Sequence, residues 1–322
     1  MTSNCSITKS IDGAKRIILS RKGMDSGTSK KFGCDSNSYI LPDGRMLSIP
    51  IPASESKVIY EKLAFTYSGI KFTYNDLMKQ IKPNHTCRCC HLDPDLMLGL
   101  NPNTCSKDWR PILGQAGNAA SHLETNGVQA GDIFIFFGRY RFLKWDKQSG
   151  SFSLIKKREL RNLDEGRYNY YNHWDNTNSK NFYLTNPFQA IFGYLIVAEK
   201  LPLDTDSNRK EALERFPWHP HVERLRQGKE TDDILYIAER DHAGTFSYSS
   251  SRILTRESSG ASKWTQLDWM RNDWLASGGM TFHKCDSLQE GFFQSKSRGQ
   301  EFVMNPESNP ELRAWVKQIL VP

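Results

Sequence analysis

The chain has 322 residues, of which 38% are hydrophobic and 25% charged, a globular composition that excludes a disordered or fibrous protein. Its formal charge of +7 is mild, and no polybasic arm concentrates it, so a protein that wraps DNA by charge alone is not expected. No apolar stretch approaches the ~20 residues of a membrane span, residues 1–6 lack the pattern of a secretory signal, and seven cysteines without framework spacing read as reduced thiols, so a cytoplasmic location is expected.

In chain order, Arg16–Ser20 is the first predicted strand, an apolar run rich in β-branched residues. Residues 24–37 are rich in Gly, Ser, Lys and Asp and read as an exposed loop. Leu41-Pro42-Asp43-Gly44-Arg45 is a turn, and Met46–Ile51 a strand bounded by Pro50 and Pro52. Helices are predicted at Glu55–Leu63, Tyr74–Ile81 and Gln115–Asn126. The last has small residues for close packing (Ala116, Ala119, Ala120) and a stop at Asn126-Gly127.

Ile133–Phe137 reads as a central buried strand ended by Gly138, with further strands at Ala190–Ala198, Ile234–Ala238 and Phe246–Thr255. Residues 145–175 suggest a hairpin with a polar insertion. A last helix has Asn309 as its cap, Pro310 at its first position and an apolar stripe of Leu312, Trp315, Val316 and Ile319. With no repeat and no linker, the expectation is one α+β domain over residues 1–322, a mixed and largely buried central sheet flanked by helices.

Chemistry-bearing residues gather at strand ends and stiff turns. Arg21-Lys22-Gly23-Met24-Asp25 follows the first strand, where two cations, a flexible Gly and a carboxylate suit a phosphate cradle or simply a solvated turn. In His91-Leu92-Asp93-Pro94-Asp95 the proline holds two carboxylates in a fixed relation to the histidine. Such a group can bind a divalent ion, orient a ribose hydroxyl or act as a base; equally, Asp93 can cap a following helix. Cys87 and Cys90 have Cys-x-x-Cys spacing, but no second pair exists, so a zinc site is not expected.

Arg139 and Arg141, beyond the central strand, share a face if that strand continues, and so could clamp an anion. Trp218-His219-Pro220-His221 is a stiff loop that can hold a histidine for acid–base work. Arg298-Gly299-Gln300-Glu301 feeds a short strand whose Glu is either a functional carboxylate or a solvated edge residue. Gly-rich phosphate loops are absent.

Several stretches together resemble the nucleotide-modification-associated domain family, third group. They are residues 20–26, Leu41-Pro42-Asp43-Gly44, residues 48–52, residues 91–96, Gly114-Gln115 with Ser121-His122-Leu123, residues 131–138, Ile191-Phe192-Gly193-Tyr194, His219-Pro220-His221 and residues 299–303. The chain departs from that pattern at Arg139-Tyr140, in place of an aromatic pair, and at Gln189, in place of a His. The resemblance implies an α+β fold and a place in systems that modify nucleic-acid bases.

The reading that follows is an enzyme or enzyme subunit acting on a nucleotide or nucleic acid, with no membrane partner and no cofactor named by the sequence. Asp25, His91, Asp93, Asp95, His219 and Glu301 are the catalytic candidates. Arg21, Lys22, Asp43, Arg139, Arg141, His221, Arg298 and Gln300 are the substrate-binding candidates. Two alternatives stay open. One is a non-catalytic module that recognises modified bases. The other is an ADP-ribosyltransferase-like enzyme using Glu301 with Arg21 and the serine-rich Phe246–Ser251 segment.

Overall fold

The computed structural model describes residues 2–24, 26–54, 56–101, 107, 109–162, 181–228, 232–296 and 301–320. Helix α1 (Thr2–Gly13) leads into β1 (Ile17–Arg21), followed by α2 (Ser26–Phe32) and the short strands β2 (Ser38–Ile40), β3 (Met46–Leu47) and β4 (Ile51–Pro52). A hairpin of β5 (Ala64–Tyr67) and β6 (Ile70–Thr73) runs into α3 (Tyr74–Ile81), which starts with a Thr73–Asp76 capping box. Next come β7 (Cys90–His91), β8 (Ile112–Gln115), α4 (Gly117–Thr125), the long β9 (Ile133–Asp146) and its hairpin partner β10 (Ser151–Leu154).

After α5 (Asn181–Thr185) come β11 (Phe188–Ile196), β12 (Glu199–Pro202), α6 (Asp206–Arg215), α7 (Pro220–Arg226), β13 (Ile234–Ile237) and β14 (Ala243–Thr245). The chain then forms β15 (Lys263–Trp264), α8 (Asn272–Ala276), β16 (Leu288–Gln289), β17 (Phe292–Gln294), β18 (Glu301–Met304) and α9 (Pro310–Leu320).

The main sheet has the order β14-β11-β9-β1-β18 and is mixed, because β1 runs parallel to β9 while the other neighbours along this path are antiparallel. Its middle is buried on both faces. Ile17 and Leu19 of β1, with Ile133, Ile135 and Phe137 of β9, pack against α1, α9 and the Trp264–Trp269–Trp274 group. Ile18, Phe134 and Phe136 face the other way, toward Leu123 of α4 and Tyr236 of β13. Side chains alternate between faces along a strand, so a strand covered on both sides must be apolar at every position. That is why β9 reads as an unbroken hydrophobic run. The molecule is therefore α+β, with a mixed, largely buried central sheet, and no described helix is long and apolar enough to cross a membrane.

Several sequence expectations are corrected. No helix forms over 56–63; that stretch pairs with 88–90 instead, through Tyr60 N–H to the Arg88 carbonyl (3.0 Å) and Cys90 N–H to the Val58 carbonyl (2.9 Å). The loop at 24–37 contains α2. Gly138 does not end β9; a Cβ there would lie 2.8 Å from the Lys22 carbonyl, so glycine is needed for close approach rather than for a stop. The Phe246–Thr255 strand does not form, since β14 ends at Thr245 and Ser250–Arg252 makes a tight 3-10 turn. Cys34 and Cys87 are joined as a disulfide, so not every thiol is free.

Asp132 shows how a polar group fixes the entry to β9. Its carboxylate accepts from the backbone N–H groups of Lys15 (3.1 Å), Arg16 (2.8 Å) and Gln129 (2.9 Å), tying the starts of β1 and β9 together. The side chain is buried, so removing it leaves those donors without a partner. Asp132→Ala is expected to lower the unfolding free energy by about 1–3 kcal/mol, read from urea denaturation.

Candidate functional site

The polar ends of several elements meet in one cleft of about 760 Å³. β1 delivers Arg21 and Lys22, and the Lys22 N–H bonds the Phe137 carbonyl at 2.9 Å, so the chain leaves β1 still alongside β9. Gly23 turns it away with φ +85°, a conformation that favours glycine. β9 contributes Arg139, β11 contributes Gln189, and β8 brings Gly114 and Gln115. The N-terminus of α4 adds Ala116 and Ala119. β4 and β7, paired Ile51 to His91, set His91 into the opposite wall.

Asp93 is the centre of that wall. Only 5% of its side chain is exposed, and Oδ1 accepts the Gly114 N–H at 2.8 Å. His219 Nε2 faces the same oxygen at 3.4 Å, and His221 Nε2 faces Oδ2 at 3.5 Å. The other ring nitrogen of His221, Nδ1, donates to Asp233 Oδ2 at 2.6 Å, which Arg224 also reaches at 3.1 Å. His91 stands edge-on to His221, with ring centroids 4.9 Å apart.

The electrostatics follow from this stacking. Burial works against a charge on His221, but Asp233 and Asp93 on either side raise its pKa to about 8. Burial pushes His91 down to about 3 and also lowers His219, so both favour the neutral ring. Burial alone would raise Asp93, yet the facing His219 and His221 hold its carboxyl well below the usual range. The alternative role for Asp93, capping a following helix, is not taken up: no helix follows at 94–100, where 98–100 form a turn, and the carboxylate faces Gly114 and the histidines.

A second buried carboxylate lies under the cleft. Glu301, 2% exposed on β18, stands opposite Ser20 in the ladder. Its Oε1 accepts from Lys22 Nζ (3.0 Å), Gln115 Nε2 (3.0 Å) and, more weakly, Ser20 Oγ (3.4 Å). It is not a solvated edge residue. It acts on the cleft through Lys22 and Gln115, both of which line it.

Of the residues singled out in the sequence, Arg21, Lys22, His91, Asp93, Arg139 and His221 come together along the cleft. His219 is fully buried behind Asp93. Asp95 is buried too, accepting from Trp109 Nε1 at 3.2 Å, and burial raises it to about 7. Arg141 does share the strand with Arg139, but its Nη2 donates to the Thr185 carbonyl at 3.1 Å and it does not line the cleft. Asp43 pairs with Arg45 in the exposed turn, away from the lining residues. Asp25, Arg298 and Gln300 lie outside the described residues.

Sequence reasoning passed over Asp233, Gly114, Gln115 and the start of α4. Asp233 had a visible signal, a carboxylate just before an apolar strand and twelve residues after a flagged histidine. Gly114 and Gln115 had none beyond their place in the resembling stretches.

The fold and this cleft define a polar-lined α+β protein, and comparison with known families places it further. The family model for nucleotide modification associated domain 3 matches residues 16–305, and the chain belongs to that family. No curated protein and no solved structure matches the chain. Membership implies involvement in nucleotide-modification systems.

Gly114 is the tightest point of the site. A Cβ there would lie 2.2 Å from His221 Cδ2 and 2.8 Å from His219 Cε1. Gly114→Ala is expected to destabilise the fold by about 1–3 kcal/mol through overpacking. Gly260→Ala, where a Cβ meets nothing within 4 Å, should stay within ~0.5 kcal/mol of the parent in the same urea titration.

Proposed function

We propose that the cleft binds a nucleotide unit, free or within a nucleic acid, and that the His91–Asp93–His221 corner acts on it as an enzyme of a nucleotide-modification system. The observation that carries this is the meeting of an anion-binding wall and an acid–base wall in one cavity of nucleotide size, about 760 Å³.

The anion wall consists of Arg21, Lys22 and Arg139 with the first turn of α4. Ala116 stands at the cap position with no side chain to cap the helix, and the first turn holds no acidic residue. Its unpaired N–H groups and positive dipole end are therefore left for a ligand, as phosphate sites at helix N-termini require. Alanines at 116 and 119 keep the approach open.

The two glutamines would read the base. Gln115 commits its amide Nε2 to Glu301, which leaves its carbonyl as an acceptor. Gln189 commits its carbonyl to Trp264 Nε1 at 2.6 Å, which leaves its amide as a donor. One fixed acceptor and one fixed donor can discriminate a base edge, because a mismatched edge leaves a buried polar group unpaired. Asp93, His91 and His221 then supply the acid–base or metal-binding groups, while Glu301 holds Lys22 and Gln115 in place.

A thermal-shift titration of the purified chain should raise Tm with nucleoside monophosphate concentration, and much less with the matching nucleosides. Arg139→Ala and Arg21→Ala should each weaken binding about tenfold, the loss of a charge-assisted hydrogen bond of roughly 1.5 kcal/mol. Asp93→Asn should bind but form no product in an assay on modified and unmodified nucleotides. Equal shifts with nucleosides, or no shift at all, would contradict the anion wall.

A further inference from the structure

The histidines and carboxylates of the acid–base wall are arranged in a way that proton transfer alone does not need. We propose that His91, Asp93 and His221 bind one divalent transition-metal ion, with Asp233 orienting His221, and that the ion's remaining positions face the cleft. One ligand atom from each of the three lies within 4.8 Å of the others. The best-defined pair, His221 Nε2 and Asp93 Oδ2, is 3.5 Å apart. Two ligands each ~2.0–2.2 Å from a common ion sit roughly 3.0–3.6 Å apart, so this spacing needs little adjustment.

Each ligand is also prepared for the task. His221 gives Nδ1 to Asp233 at 2.6 Å, which leaves Nε2 aimed at Asp93. A carboxylate on the far nitrogen of a ligating histidine fixes its tautomer and raises its donor strength. Asp93 likewise has one oxygen held by the Gly114 N–H, leaving Oδ2 as the donor atom. His91 is set by the β4–β7 ladder two residues before Asp93, and all three side chains line the cavity. Arg224, 3.1 Å from Asp233 Oδ2, offsets that carboxylate, so an ion held by Asp93 and the neutral ring of His221 would take the place of the proton His221 otherwise carries.

Two imidazoles and one carboxylate suit Zn²⁺, Fe²⁺ or Mn²⁺ rather than Ca²⁺ or Mg²⁺, which prefer all-oxygen shells. Three protein ligands with positions left toward a cavity are the pattern of a reactive site, not a structural one. In giving the ion a place beside a bound nucleotide, the inference rests on the reading of the cleft above; binding of the ion itself does not depend on it.

The test uses the full chain stripped with a chelator and titrated with Zn²⁺, Co²⁺ and anaerobic Fe²⁺, following stoichiometry by equilibrium dialysis with elemental analysis. One ion per chain is expected. His91→Ala and Asp93→Ala should each weaken binding by at least about a hundredfold, and Asp233→Asn by about 10–100-fold. His91→Gln and Asp93→Asn, checked for folding by circular dichroism, repeat the result with less structural change.

Cys34, His85 and Cys87 also lie close enough to hold an ion, but only with the Cys34–Cys87 disulfide reduced, so His85→Ala is the control and should leave the stoichiometry at one. Substoichiometric binding, or an ion retained by the His91 and Asp93 variants but lost in His85→Ala, would overturn the proposal. Nucleotide binding measured on the stripped chain separates the two readings. Nucleotide without ion sinks this inference alone, and ion without nucleotide sinks the function proposed above alone.

Discussion

The arrangement depends on a carboxylate that has been taken out of water. Removing a charged Asp93 from solvent costs several kcal/mol unless its oxygens are paired. That requirement dictates much of its neighbourhood. The Gly114 N–H must reach Oδ1, so β8 has to pass within hydrogen-bond distance, and residue 114 must lack a side chain that would strike His221 and His219. Oδ2 faces His221, which in turn needs Asp233 from the approach to β13. One buried group thus ties together β8, α7, β13 and the turn after β7.

The same economy appears below the cleft, where Glu301 joins β1, β8 and β18 through a single oxygen. Its contacts tie down Lys22 Nζ and Gln115 Nε2, two side chains that line the cavity. The two buried carboxylates therefore play different parts. Asp93 lines the cleft itself, whereas Glu301 lies beneath it and holds two residues that line it, Lys22 and Gln115. Gln189 fits the same scheme from the opposite sheet neighbour, since Trp264 fixes its amide orientation from within the core. Where the family pattern leads one to expect a histidine, this chain places a side chain with a fixed donor.

The central strands were legible because burial on both faces leaves an unmistakable apolar run, as in Ile133–Phe137 and Ala190–Ile196. The last helix was legible from its cap and stripe: Asn309 Oδ1 accepts the Leu312 N–H at 3.1 Å. The stretch 56–63 was not, because a helix-like composition was overruled by pairing with residues distant in sequence. Among residues lining the cleft, those next to visible strand ends or prolines were the ones the sequence singled out. Gln115 was missed because its role comes from a partner 186 positions away, which local pattern cannot show, whereas Asp233, twelve residues after His221 and just before an apolar strand, was within reach of a local reading. Arg141 illustrates the converse. Its spacing from Arg139 put both on one strand as expected, but packing turned its guanidinium to the Thr185 carbonyl.

Photo-crosslinking tests the central claim, that one cleft receives the nucleotide, most directly. The full chain would be irradiated with a nucleoside monophosphate carrying a photoreactive base, and the labelled peptides mapped by mass spectrometry. Adducts on the segments that contain Gln115–Ala119 and Gln189, lost on competition with unlabelled nucleotide, are the predicted result. Competable adducts confined to surfaces away from these segments, such as α6 or the β5–β6 hairpin, would contradict the account.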